Sequence, residues 1–221
     1  MLTIDEKVRA VYPGAKMGIM VIKDISYSSL IPEPMITEFR NNLYGKYAHL
    51  ERNELKKLYP VDVYITYYKK FGYNYHLLAQ LESVLKGKKS MKSASGLLLA
   101  MFLSELDGML LTAGHDFTKL QLPLQLKIAD GTEFYQSISE KEVVTVKNDL
   151  ILCDSKGPVS SILRGPDYKS RITSSTTEVL FSIYAPPDID ADYIKDNLLK
   201  LEKSISTLSL SSRTDLLQVF F

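Results

Sequence analysis

Between residues 110 and 185 the chain gathers the side chains best suited to chemistry. Gly114-His115-Asp116-Phe117-Thr118-Lys119-Leu120 places an imidazole beside a carboxylate. His115 could move a proton near neutral pH. Asp116 could order a loop or meet an ammonium group. The plainer reading is that Asp116 caps a turn at Gly114 by accepting a backbone N–H, with His115 on the surface of that turn. Arg164 and Asp167 lie in a Gly/Pro-rich stretch. The guanidinium fork suits a phosphate or carboxylate, and an ion pair within the loop is the alternative. Ser170, Thr173, Thr176 and Thr177 offer hydroxyls for a water or a ribose, although such clusters also form turns. Lys86, Lys88, Lys89 and Lys92 follow Tyr73, Tyr75 and His76. That basic run beside aromatic rings could meet RNA, or it could simply be the solvated end of a helix.

Other chemistries find no support in the spacing. His49, His76, His115 and Cys153 show no metal-ligand pattern, so no metal is expected. There is no P-loop, no Gly-x-Gly-x-x-Gly and no Gly-x-Ser-x-Gly elbow, and no cofactor is expected. The net charge is +1, so no global field recruits nucleic acid or an acidic membrane, and any RNA contact needs a local patch. The single cysteine, Cys153, excludes an intramolecular disulfide and reads as a small buried residue of a strand. The longest apolar run, residues 97–103, is too short to span a bilayer, and a cytoplasmic location is expected.

The elements that must position these residues follow from periodicity. Asp5 can cap a short helix to Tyr12, and residues 17–22 read as a buried strand. Helices are expected over about 35–43, 51–58, 60–71, 73–85 and 95–106. In the third of these, Val61, Ile65 and Tyr68 form one apolar stripe. Gly87 can supply a left-handed cap after the fourth. The period then changes to two: strands are expected over 120–129, 142–146, 150–154 and 178–185, with a turn at Asp130-Gly131. Asp188 or Asp190 can cap an amphipathic helix to about 206, with Ile194, Leu198, Leu201 and Ile205 inward. The apolar tail 216–221 should dock as a strand or against the core. Helices first and strands later give an α+β fold on a mixed or antiparallel sheet, and 221 residues without a long linker suit one domain.

The ordered set of Gly114-His115-Asp116-Phe117-Thr118-Lys119-Leu120, Cys153-Asp154, the loop from Gly157-Pro158 to Arg164-Gly165-Pro166-Asp167, and Ser170-Arg171-Ile172-Thr173-Ser174-Ser175-Thr176 before Val179-Leu180-Phe181 resembles the B3/B4 domain of the bacterial phenylalanyl-tRNA synthetase β subunit and its free-standing relatives. It covers about residues 61–185. The resemblance implies a B3/B4-like domain that binds tRNA or aminoacyl-tRNA. It also implies an editing reaction, hydrolysis of a mischarged ester with a placed water and oxyanion donors. On this reading Asp116, His115 and Thr173 are the catalytic candidates. Gly114, Ala113, Arg164, Asp167 and Ser182 form the substrate pocket, and Lys86, Lys88 and Lys89 meet RNA. Counted from Asp116, Ala113 stands where the synthetase has a histidine. Counted from Thr173, Ser182 stands where it has a glutamate. Both polar readers of the pocket are therefore replaced. A non-catalytic module for a free amino acid or small metabolite is the alternative, and an interaction domain using the apolar tail is a third.

Overall fold

Apolar strands from distant parts of the chain meet in two packed sheets. The structure, a computed structural model, describes residues 1–26, 31–87 and 95–221. β1 (Leu2–Ile4), α1 (Glu6–Val11) and β2 (Lys16–Lys23) come first. Helices α2 (Glu33–Tyr47), α3 (Arg52–Leu55), α4 (Val61–Lys69), α5 (His76–Leu85) and α6 (Gly96–Gly108) follow. Next are β3 (Thr112–Asp116), a 3-10 turn at Phe117–Lys119, β4 (Leu124–Ile128), β5 (Phe134–Gln136), β6 (Glu142–Val144) and β7 (Leu150–Asp154). Then come β8 (Gly157–Ser161), β9 (Gly165–Pro166), β10 (Val179–Ala185), α7 (Ala191–Leu208) and β11 (Arg213–Phe220). The class is α+β.

One sheet has the order β11-β2-β10-β3 and is antiparallel throughout. The other has the order β1-β4-β7-β8-β9, with β1 parallel to β4 and the remaining pairs antiparallel. β5 and β6 form a separate hairpin. Strand alternation decides what each face of β10 meets. Ile183 lies on the face covered by α7, where a Cβ on the neighbouring Gly18 would press into Ile194. Tyr184 points the other way, and its hydroxyl accepts the Leu152 N–H of the second sheet at 3.1 Å. The tail enters as β11, paired along β2, so the apolar 216–220 segment completes a sheet edge.

Several expected elements are revised. Gly114 to Asp116 is strand, not turn: β3 pairs with β10 from Thr112 to Asp116, and all five residues are buried. His115 is therefore fully buried rather than on a surface turn. The strand expected over 120–129 begins only at Leu124, because Pro123 has no N–H for the ladder. Gly157 to Ser161, read as loop for its Gly and Pro, is a strand hairpinned to β7, with the Asp154 carboxylate accepting the Lys156 N–H at 2.7 Å in the turn. On α4 the buried face is Val61, Tyr64, Tyr67 and Tyr68, and Ile65 is half-buried.

Phenols on α4 and at the N-cap of α5 join the helical layer to the sheets. Tyr64 donates to the Tyr184 carbonyl, Tyr68 to the Ile162 carbonyl at 2.9 Å and Tyr75 to the Met109 carbonyl at 2.9 Å. Tyr67 donates to the Asp149 carboxylate at 2.7 Å. Asp149 is fully buried and also accepts from the Ser161 hydroxyl and from the Leu163 N–H at 3.1 Å. Burial pushes its carboxyl up to about 6, against the bonds from Ser161, Tyr67 and backbone N–H groups that favour the anion. Such a group takes up its proton more readily in the folded chain. Its stabilising contribution is full below about pH 4 and is lost as pH rises through about 6. Asp149→Asn should remove that slope, which amounts to about 3 kcal/mol across the window. Urea midpoints of both proteins from about pH 3.5 to about 7.5 measure the difference, and parallel profiles would refute it.

Close packing of α6 on α7 supplies a second test. A Cβ at Gly108 would overlap the side-chain amide of Asn197 on α7. Gly108→Ala should cost about 1–3 kcal/mol. Asn197→Ala in the same chain should recover part of it, and additive losses in a double-mutant cycle would contradict the contact.

Candidate functional site

A cavity of about 680 Å³ opens between β3, α6 and the turn from β8 to β9. Its floor is mostly apolar, with Met101, Leu111, Ala113, Ile162 and Ile172 on it. The charged and polar groups are few. Arg164 and Arg171 enter from the segments on either side of β9, Glu105 from α6, and His76 from the start of α5. The volume suits a drug-sized or amino-acid-sized ligand, and a few convergent polar groups on an apolar wall are the usual form of a binding site.

Each wall has an identifiable support. Gly114 lets the side chains of Ile172 and Met101 approach its strand, and a Cβ there would press on the ends of both. The Glu105 carboxylate accepts the Thr112 N–H at 2.9 Å, which fixes α6 to the start of β3. The segment carrying Arg164 is tied to Asp149 through Leu163, and the Arg164 N–H donates to the Ser161 hydroxyl at 3.1 Å. The exposed Arg164 guanidinium lies over the Tyr73 ring at 5.5 Å. Arg171 lies over the Tyr168 ring at 3.4 Å.

Behind the cavity runs a buried polar chain. Ser170 donates its hydroxyl proton to Asp167, and the His115 Nδ1 lies 2.7 Å from the same Ser170 oxygen. That order assigns the imidazole proton to Nδ1, which then donates to Ser170. The Nε2 is buried with no partner among the described residues. Ser182 stands directly opposite Ala113 on the β10–β3 ladder, and its buried hydroxyl also has no partner among the described residues.

Of the residues nominated from sequence, Ala113, Gly114 and Arg164 line the cavity. Asp167 and His115 belong to the buried chain, and Ser182 lies beside Ala113 on the same strand pair. No ion pair joins Arg164 to Asp167 among the described residues; Asp167 is turned inward to Ser170. Asp116 caps the 3-10 turn, accepting from the Thr118 N–H at 3.1 Å and the Thr118 hydroxyl at 2.6 Å. Its second oxygen accepts from Thr176 at 2.8 Å. Thr173 sits in the turn that Thr176 closes, where its N–H donates to the Thr176 hydroxyl at 2.9 Å. Lys86 is the exposed C-cap of α5, and Lys88 and Lys89 lie outside the described residues. A separate groove of about 620 Å³ between α2, α6 and α7 holds none of the nominated residues. Glu105 and Arg171, which line the cavity, and Asp149, which holds the segment beside it, were not among the nominated residues. They come from three separate elements, and no local spacing links them.

Among the described residues no helix is long and apolar enough to cross a membrane. No family model and no curated protein matches the chain. Among solved structures, an N-terminal fragment of the phenylalanyl-tRNA synthetase β subunit from Pyrococcus horikoshii superposes with a TM-score of 0.52 at 11% identity. The match covers 100% of this chain and 54% of that one, so the chain spans about half the length of the fragment. At this identity the likeness concerns the fold: the chain has an α+β architecture similar to that of the synthetase fragment.

Proposed function

We propose that the protein binds the aminoacylated 3′ end of an RNA, with the aminoacyl group in the cavity beside Ala113 and Gly114. The observation that carries this reading is the pairing of opposite charges at one cavity: Glu105 with Arg164 and Arg171. An aminoacyl ester on RNA has an α-ammonium and a nearby phosphate. Glu105 suits the first and the exposed Arg164 fork the second. The apolar floor suits an amino-acid side chain. The fold shared with a synthetase fragment supports the same class of ligand.

Hydrolysis of the bound ester, a trans-editing reaction, would be a step beyond binding. It needs a water at the ester carbon and donors for the oxyanion. His115, Asp116 and Thr173 stand behind the cavity wall, and in this reading they hold the wall in shape. Ala113 leaves the wall small and uncharged at that point, and Ser182 stands opposite it within the strand pair. That favours a second reading, a receptor for a free amino acid or small metabolite.

A panel of tRNAs charged with different amino acids, together with uncharged tRNA, tests both. The wild type should prefer a charged tRNA. Arg164→Ala should weaken binding about tenfold and lower the salt slope by about one. Glu105→Gln should erase the preference for charged over uncharged tRNA. Equal affinity of the wild type for both forms would sink the RNA reading. Thermal stabilisation by a free amino acid, without tRNA binding, would establish the second.

A further inference from the structure

We propose that Arg171, laid flat on Tyr168, is a stacking platform for one unpaired nucleobase at the mouth of the cavity. This rests on the RNA reading above and names the part of the ligand that the mouth would hold. The Arg171 guanidinium carbon lies 3.4 Å from the Tyr168 ring centroid, close enough that the two planes face each other. Its Nη1 donates to the Tyr168 carbonyl at 2.7 Å, which fixes the rotation of the plane. Arg171 lines the cavity and Tyr168 does not, and the guanidinium face away from the ring is the one a base would meet in this proposal. No carboxylate pairs with Arg171 among the described residues.

A cation meant only to attract phosphate needs no fixed plane, and a freely moving lysine would serve. Here the plane is immobilised before any ligand arrives, so stacking on it costs little further side-chain entropy. Guanidinium planes and aromatic rings are the surfaces on which single-stranded bases stack. The segment bearing Arg171 is itself held at both ends. Ser170 is bonded to Asp167, and the Ser170 carbonyl accepts the Asp116 N–H at 2.6 Å. Thr176 is bonded to Asp116. Arg164 on Tyr73 lines the same cavity and remains available for the phosphate.

The test uses a short single-stranded RNA whose 3′-terminal adenine is replaced by 2-aminopurine, with an amino acid joined to its 3′ end through a stable amide. Binding is followed by anisotropy and stacking by quenching of the 2-aminopurine. The wild type should bind and quench. Arg171→Lys keeps the charge but loses the plane: it should lose the quenching and about tenfold in affinity, with the salt slope unchanged. Tyr168→Phe keeps the ring and should behave as the wild type. Wild-type-like quenching by Arg171→Lys would overturn the platform while leaving RNA binding intact. Binding by the wild type without quenching would do the same. An RNA that does not bind the wild type at all overturns the platform together with the reading beneath it.

Discussion

A buried phenol must give its proton to something, and in this chain that requirement fixes how the helical layer meets the sheets. Four tyrosines of the α4–α5 region, Tyr64, Tyr67, Tyr68 and Tyr75, are buried with their hydroxyls committed to partners in other elements. Burial raises all four above the ordinary phenol value, so they remain donors through neutral pH. Their acceptors are not scattered. The Tyr184 carbonyl is on β10, the Met109 carbonyl closes α6 just before β3, and the Ile162 carbonyl and Asp149 flank the turn that bears Arg164. Three walls of the cavity are therefore set by the same helices. Removing a phenol would leave a buried acceptor unpaired and would also release a wall, so stability and site geometry are linked in this fold.

Two smaller polar clusters extend that logic to the segment between β9 and β10. Asp167, Ser170 and His115 tie its start to β3 from the inside, and Asp116 ties its end through Thr176. The carboxylates and imidazole nominated for chemistry thus become cross-links between a strand and an irregular segment. A loop without ladder bonds needs such side-chain acceptors to hold one conformation. The outcome is that Arg171 and Ile172, between the ties, line the cavity from a fixed base.

Much of the fold was legible because local patterns survived into the structure. α7 has Asp190 as its cap, and Ile194, Leu198, Leu201 and Ile205 are buried as their spacing demands. β7 and β10 are apolar runs of strand length and lie at the expected places. β3 was misread because Gly-His-Asp is turn-like in composition. Its conformation is set by pairing with β10, some 65 residues away in sequence, a contact to which local propensity is blind. β8 was hidden by Gly157 and Pro158 for the same reason. Ala113, Gly114 and Arg164, nominated through the order of segments, line the cavity. Glu105 and Arg171 were not nominated, because a cavity assembled from α6, β3 and the flanks of β9 leaves no signature in any one of them.

The cavity also divides by how freely its parts can change. Arg164 and Arg171 sit on irregular segments, and their side chains could be exchanged without touching a ladder. Ala113 and Ser182 are opposite partners between packed sheets, where added volume must displace neighbours. Ala113, which lines the cavity, keeps that part of the wall small. The two buried atoms without partners among the described residues in this region, His115 Nε2 and the Ser182 hydroxyl, lie on the same face of adjacent strands. Leaving such atoms unpaired is costly in a core, so the β3–β10 pair carries a local polar cost beside the cavity. In the proposed reading the mouth supplies charge and affinity. The β3–β10 wall supplies discrimination, because only there is the available space fixed by the core itself.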